Sequence, residues 1–328
     1  MLEALIPYIE IPTKTLVEDP PLMGAPLKLQ PFGPLVATGV ILGWRQCLKY
    51  AKEKDIDEVL FRDYLFWMLV SAFVISHWVS VIFYFPEQIK EDWTVLLRIW
   101  NGLSSVGGFF GAFVGMTVYL KLKKQPIIVY ADATIFGLLL GWCFGRAGCS
   151  VVHDHPGRVV AEGTFLAVGP WPDGSWRYDL GLLELLFAVT LMSVVYFVVD
   201  WRNKRPGWLV GLVATAYAPF RFLLDFARAD EAAAGVIGTP DARYAGLTPA
   251  QWFTLSFFLA GLWLLFVRRS KPEDLEYARD SERIAKEKAA AGTDADPRDA
   301  ERVGEDEDDD PTDTGDDEEA AQQDDARA

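Results

Sequence analysis

LFWMLVSAFVISHWVSVIFYFP (65–86) carries no Asp, Glu, Lys or Arg from end to end. About 20 such residues, wound as a helix, span the hydrocarbon core of a bilayer. Comparable stretches recur near 33–49, 102–120, 127–144, 180–200, 207–225 and 249–267. They predict an all-α, polytopic membrane protein with about seven transmembrane helices. The first stretch is short and contains Arg45. In the third, Gly107, Gly111 and Gly115 fall four apart along one helix face. Small residues in that register let a neighbouring backbone approach closely.

The ends of the chain behave differently from this body. Residues 271–328 hold 23 Asp/Glu against 8 Lys/Arg, which accounts for the whole net charge of −15. So acidic a segment, with few large apolar side chains, cannot bury enough surface to offset the entropy of ordering, and it is expected to be a disordered tail. The expected organisation is therefore an extracytoplasmic or interfacial segment over 1–32, a helical membrane domain over 33–270 and the tail over 271–328. The first residues show no charged run followed by an apolar core, so no cleavable signal is expected there. Cys47, Cys143 and Cys149 have no paired spacing, and no disulfide framework or metal site is expected. No basic patch interleaved with aromatics points to nucleic acid.

Basic residues alternate between loops. Lys49, Lys52, Lys54 and Arg62 follow the first stretch, Lys121, Lys123 and Lys124 the third, Arg202, Lys204 and Arg205 the fifth, and Arg268, Arg269 and Lys271 the seventh. The positive-inside bias then puts the N-terminus outside and the tail in the cytoplasm. Two long segments, 145–179 and 226–248, fall on the outer face, where functional sites tend to be built.

Ionisable residues at membrane depth are the second signal. Each costs roughly 2.5–3.5 kcal/mol at a helix centre. Arg146 ends the fourth stretch, Glu184 lies in the fifth, and Arg221, Asp225 and Arg228 share one face of the sixth. Asp225 can neutralise one arginine, and Arg146 adds a second cation. Guanidinium forks in a low-dielectric cavity suit a phosphodiester, although arginines near helix ends also simply reach the headgroups. In GRAGCSVVHDHPG (145–157), His153 and His155 flank Asp154. That grouping suits proton transfer. Its spacing is unlike a helical HExxH pair, and the sequence offers no obvious third metal ligand.

With these residues in view, the chain resembles the prolipoprotein diacylglyceryl transferases of bacterial inner membranes. IWNGLSSVGGFFGAFVG (99–115), GWCFGRAGCSVVHDHPG (141–157), YAPFRFLLDFAR (217–228) and GLTPAQWFTLSFFLAGL (246–262) are similar, in order and spacing, to the family's conserved runs. The resemblance covers about Phe32 to Leu264 and implies transfer of a diacylglyceryl group from phosphatidylglycerol to the lipobox cysteine of a preprolipoprotein, with no cofactor. By position, Arg146 and Arg221 would grip the headgroup. Gly148 and Gly157 match the conserved glycines, Asp225 stands where the family usually has Glu, Arg228 matches a further Arg, and Glu184 an acid of the fifth helix. Three family positions differ: Val106 replaces a histidine, Cys149 an asparagine and Phe32 a tyrosine. The expected catalytic set is Arg146, Arg221, Asp225 and His153 or His155; Arg228, Gly148, Gly157 and Glu184 complete the substrate site. The departures leave two alternatives, a repurposed paralogue that binds anionic lipid or lipoprotein, and an anion transporter.

Overall fold

The computed structural model describes residues 6–12, 14–17, 27–99, 102–228, 244–269 and 274. The predicted tail, apart from Asp274, falls outside them, as do most of the first 26 residues and 229–243 of the second long segment.

Among the described residues, seven helices of 14 residues or more form the body: α1 (Phe32–Glu53), α2 (Glu58–Val79), α4 (Ser105–Leu122), α5 (Ile127–Val152), α6 (Leu180–Ser193), α7 (Trp208–Leu224) and α8 (Pro249–Leu262). A short helix, α3 (Pro86–Glu91), lies between α2 and α4. Five of the long helices, α2, α5, α6, α7 and α8 with their terminal turns, are long and apolar enough to cross a membrane, and α4 contributes a shorter apolar stretch. Large apolar side chains such as Phe83, Phe109, Phe113, Phe197 and Phe266 are exposed. Such a surface is stable facing lipid.

Local chemistry sets the helix ends. Asp57 caps α2 by accepting from the Val59 and Leu60 amides at 2.8 and 3.1 Å. Thr248 and Gln251 close a reciprocal capping box on α8. The N-terminus of α7 borrows its cap from another helix: Asp132 of α5 accepts from the Gly207 and Val210 amides at 2.7 and 2.9 Å. That carboxylate is buried, and the orphan amides of a helix start suit a negative charge.

The helices pack chiefly as the pairs α1–α5, α2–α4 and α7–α8, with α6 against α5. The glycine stripe works as expected. A Cβ on Gly111 would stand 2.6 Å from the Ser71 carbonyl oxygen and 2.9 Å from the Ala72 Cα. Gly111→Val is therefore expected to destabilise the α2–α4 contact by about 1–3 kcal/mol, read as a lower melting temperature of the purified protein in detergent.

Several boundaries differ from expectation: α1 runs on to Glu53, α2 starts at Glu58, and Arg228 lies past the end of α7 in extended backbone. The fourth apolar stretch continues as helix through Val152 rather than ending near 144. GRAGCSVV contains no proline, its two glycines do not end the helix, and the helix stops only where His153 turns left-handed (φ 52°) ahead of Pro156. Arg146 and Cys149 are thus on the last two turns of α5. The rest of that segment is not a loop: β4 (Pro156–Val160), β5 (Ala167–Gly169) and β6 (Trp176–Asp179) form a sheet with β1 (Ile6–Pro7), in the order β1-β5-β6-β4. β1 joins β5 in parallel, with Ile6 opposite Val168. A separate antiparallel pair joins β2 (Lys14–Val17) to β3 (Leu27–Leu29).

The basic loops meet at one end of the bundle. Arg202 pairs with Glu53, Lys54 donates to the Arg202 carbonyl, and Arg205 donates to the Leu264 and Leu265 carbonyls at 2.6 and 2.9 Å.

Candidate functional site

The intramembrane charges meet in one cluster at the sheet end of the bundle. Arg146 reaches Glu184 of α6 at 3.2 Å. The same carboxylate oxygen accepts from the Tyr217 phenol of α7 at 2.8 Å. Tyr217 lies one turn before Arg221 on α7. Through Glu184 and Tyr217, Arg146 is tied to the helix that carries Arg221. Arg221 in turn pairs with Asp225 at 3.2 Å, and Arg228 reaches the same oxygen at 2.9 Å.

Asp225 is 1% exposed, and its other oxygen accepts from the Thr248 hydroxyl at 2.5 Å. That hydroxyl oxygen also accepts from the Gln251 amide at 3.2 Å. The start of α8 thereby fixes the carboxylate that fixes Arg221. A buried acid held by two arginines and a hydroxyl is compensated, where a lone one would be very costly.

Beside the cluster, Arg146 and Tyr217 line one part of a cavity of about 310 Å³. Its remaining wall is almost wholly apolar, with Val40, Trp44, Leu69, Phe109, Leu138 and Trp142 among its residues. A guanidinium lining an otherwise apolar chamber matches the two halves of a phospholipid.

The histidines divide. His153 is bound through both ring nitrogens, Nδ1 to Asp179 at 2.6 Å and Nε2 to the Ile9 carbonyl at 3.3 Å. Its ring stacks on Tyr8 with centroids 4.3 Å apart. Asp179 is fully buried and also caps α6 through the Leu182 amide. His153 is a strut joining the end of α5, the start of α6 and the N-terminal strand. His155 is half-exposed and pairs with Asp154. That hydrogen bond, then one to the Cys149 thiol, push the imidazole pKa up to about 9, with burial opposing. The Arg146 Nη1 lies 3.9 Å from the Cys149 sulfur.

Gly148 and Gly157 touch none of these polar groups. A Cβ on Gly148 would stand 2.9 Å from the Phe32 ring, and one on Gly157 2.7 Å from the Ala227 carbonyl. Gly157 also bridges the backbone of Arg228. Their part is to let α1 and the end of α7 close on the site. Sequence reasoning missed Tyr217, Thr248 and the proximity of Cys149 to His155. Tyr217 carried a usable signal, since it stands four residues before Arg221 on the same face.

Comparisons with known proteins give the family. A family model described as prolipoprotein diacylglyceryl transferase matches residues 21–267. Among curated relatives, the phosphatidylglycerol–prolipoprotein diacylglyceryl transferase of Chromohalobacter salexigens is 26% identical over 76% of this chain and 91% of its own length. The proteins of the same name from Staphylococcus xylosus and Phenylobacterium zucineum are 23% and 25% identical, over 77% and 74% of this chain and 90% and 89% of theirs.

Proposed function

The chain belongs to the prolipoprotein diacylglyceryl transferase family, and from that premise we propose that it transfers a diacylglyceryl group from phosphatidylglycerol to the lipobox cysteine thiol of preprolipoproteins. The observation that carries the reading is the link from Arg146 through Glu184 and Tyr217 to the helix that bears Arg221, beside an apolar chamber. In the reaction the acceptor sulfur attacks the glyceryl carbon that bears the phosphate. The carbon–oxygen bond breaks, and glycerol phosphate leaves with the electron pair. Arg146 and Arg221 would hold the phosphate and neutralise the charge that develops on it. Glu184 and Tyr217 would aim Arg146, Asp225 would aim Arg221 and Arg228, and the acyl chains would occupy the chamber.

The attacking group must be a thiolate. Cys149, Asp154 and His155 form the thiol-handling side of this site, and His153 holds the fold around them. His153→Ala is expected to lower the melting temperature, because it strips a partner from buried Asp179 at a cost of about 1–3 kcal/mol. Lipidation per folded molecule should stay within about threefold of the parent rate. A large loss of rate at unchanged stability would instead make His153 catalytic.

The basic loops gathered at the end away from the sheet support a bacterial inner-membrane placement with the sheet, the site and the N-terminus outside and the C-terminus cytoplasmic. The decisive assay incubates the full chain with phosphatidylglycerol vesicles and a lipobox peptide and reads the peptide mass. A gain of one diacylglyceryl group is expected. A specific observation favours a second reading: Val106, Cys149 and Phe32 stand where the family places His, Asn and Tyr. Phosphatidylglycerol binding with an unmodified peptide would identify a lipid-binding paralogue.

A further inference from the structure

The fold supplies the third ligand that the His–Asp–His run lacks in sequence. Continuing α5 to Val152 and turning the chain at His153 brings Cys149 beside Asp154 and His155. One sulfur, one carboxylate oxygen and one imidazole nitrogen lie within 4.8 Å of one another. We propose that Cys149, Asp154 and His155 bind a single zinc-class divalent cation and leave one coordination position open for the thiol of the acceptor peptide.

The donor chemistry selects the ion. A thiolate and an imidazole suit zinc or cobalt, whereas calcium and magnesium take oxygen. Two donors on one tetrahedral zinc, with bonds of about 2.0–2.3 Å, stand roughly 3.3–3.8 Å apart, so the widest pair must close in and the hydrogen-bonded Asp154–His155 pair must open. The half-exposed side chains of Asp154 and His155 can make both adjustments, because they follow the helix end rather than lie within it. The backbone beneath them is pinned. The Leu180 amide donates to the His155 carbonyl at 3.0 Å, and Gly181 lies so close to Cys149 and Ser150 that a Cβ there would stand 2.9 Å from the Ser150 nitrogen. Preorganised backbones of this kind make ligand geometry repeatable.

A cation here displaces the proton that Asp154 and Cys149 favour on His155, as metal binding to an imidazole requires. A dication held by one thiolate and one carboxylate is neutral overall, so Arg146 is not repelled. Binding the acceptor thiolate makes the centre anionic, and Arg146, whose Nη1 faces the Cys149 sulfur, then stabilises it. Its Nη2 pairs with Glu184. One guanidinium thus joins the thiol site to the proposed phosphate grip. Three protein ligands with a fourth position open is the pattern of catalytic zinc, and a thiol coordinated there is deprotonated. The proton goes to water, the sulfur forms its bond to the glyceryl carbon, and glycerol phosphate leaves, with no change of oxidation state. A bound cation would supply the thiolate in a chain that has Val106 in place of the family histidine.

The role in thiol activation rests on the transferase reading; metal binding itself does not, and the test separates them. The full chain is purified in detergent under reductant, freed of metal and titrated with Co2+ alone, then with Zn2+. The expected result is one equivalent bound, intense tetrahedral visible bands and a near-ultraviolet thiolate-to-cobalt band, all displaced by Zn2+. Cys149→Ser should abolish the thiolate band, and His155→Ala should weaken binding at least tenfold. Wild-type protein that binds no cobalt with its thiols reduced, or a thiolate band that survives Cys149→Ser, overturns the site. In the peptide assay, chelation should cut lipidation at least tenfold and Zn2+ restore it. Full activity without metal sinks the cation's part in thiol activation and leaves the transferase reading standing, while the cobalt titration decides the site itself. A zinc-loaded chain that never lipidates sinks the transferase reading and leaves the metal site.

Discussion

Arg221→Lys is expected to lower lipidation about 100-fold while the protein remains folded, a loss of roughly 2.7 kcal/mol of transition-state stabilisation. The charge is kept, so electrostatic neutralisation alone would leave most of the rate. What disappears is the planar fork. Arg221 pairs with Asp225 through Nη1 at 3.2 Å. It can make that ion pair and still present further N–H groups to a phosphate. An ammonium at the end of a flexible stem cannot reproduce both geometries. The loss should fall on kcat as well as on lipid affinity, since charge on the leaving phosphate grows as the bond breaks. The check is initial rate against phosphatidylglycerol content in mixed micelles, with wild type and variant matched for melting temperature. A fully active lysine variant would remove Arg221 from the phosphate site.

Asp225→Leu should be worse and for a different reason. The carboxylate is 1% exposed and serves Arg221, Arg228 and Thr248 together. Removing it leaves two guanidinium groups near one another without their shared partner. Breaking a buried pair in this way costs about 3–5 kcal/mol. A large drop in melting temperature and loss of lipidation are expected, and Asp225→Glu should recover much of both because the charge and acceptors return. If Asp225→Leu unfolds as wild type does, the carboxylate is not the centre of the network. Asp225→Asn discriminates further: it keeps the Thr248 hydrogen bond and loses the charge, so an intermediate stability is expected.

Most of the architecture was legible because lipid imposes a simple rule on sequence. Long uncharged runs mark helices wherever they occur, and the few charges inside them stand out against that background. Arg146, Glu184, Arg221 and Asp225 were found by that contrast alone. The end of α5 was misjudged because hydrophobicity fades at Arg146 while helical geometry does not. The sheet over 156–179 stayed hidden for a different reason. Its strands are three to five residues long, and β1, far away in sequence, completes it. The roles of Thr248 and Cys149 depend on tertiary neighbours: an α8 cap that reaches α7, and a left-handed residue that folds the chain back on α5. No local pattern carries either.

The pairing of β1 with β5 also constrains parity. Two strands of one sheet lie on the same side of a bilayer, so residues 7 and 167 are separated by an even number of traversals. Arg202 and Glu53 touch, which sets the same condition between 53 and 202. With α2, α5 and α6 across, the second condition requires α4 to cross despite its shorter apolar run. The first then requires α1, whose polar final turns had obscured it. Among the described residues, both contacts are satisfied together when α1 and α4 cross alongside the five helices long and apolar enough to do so.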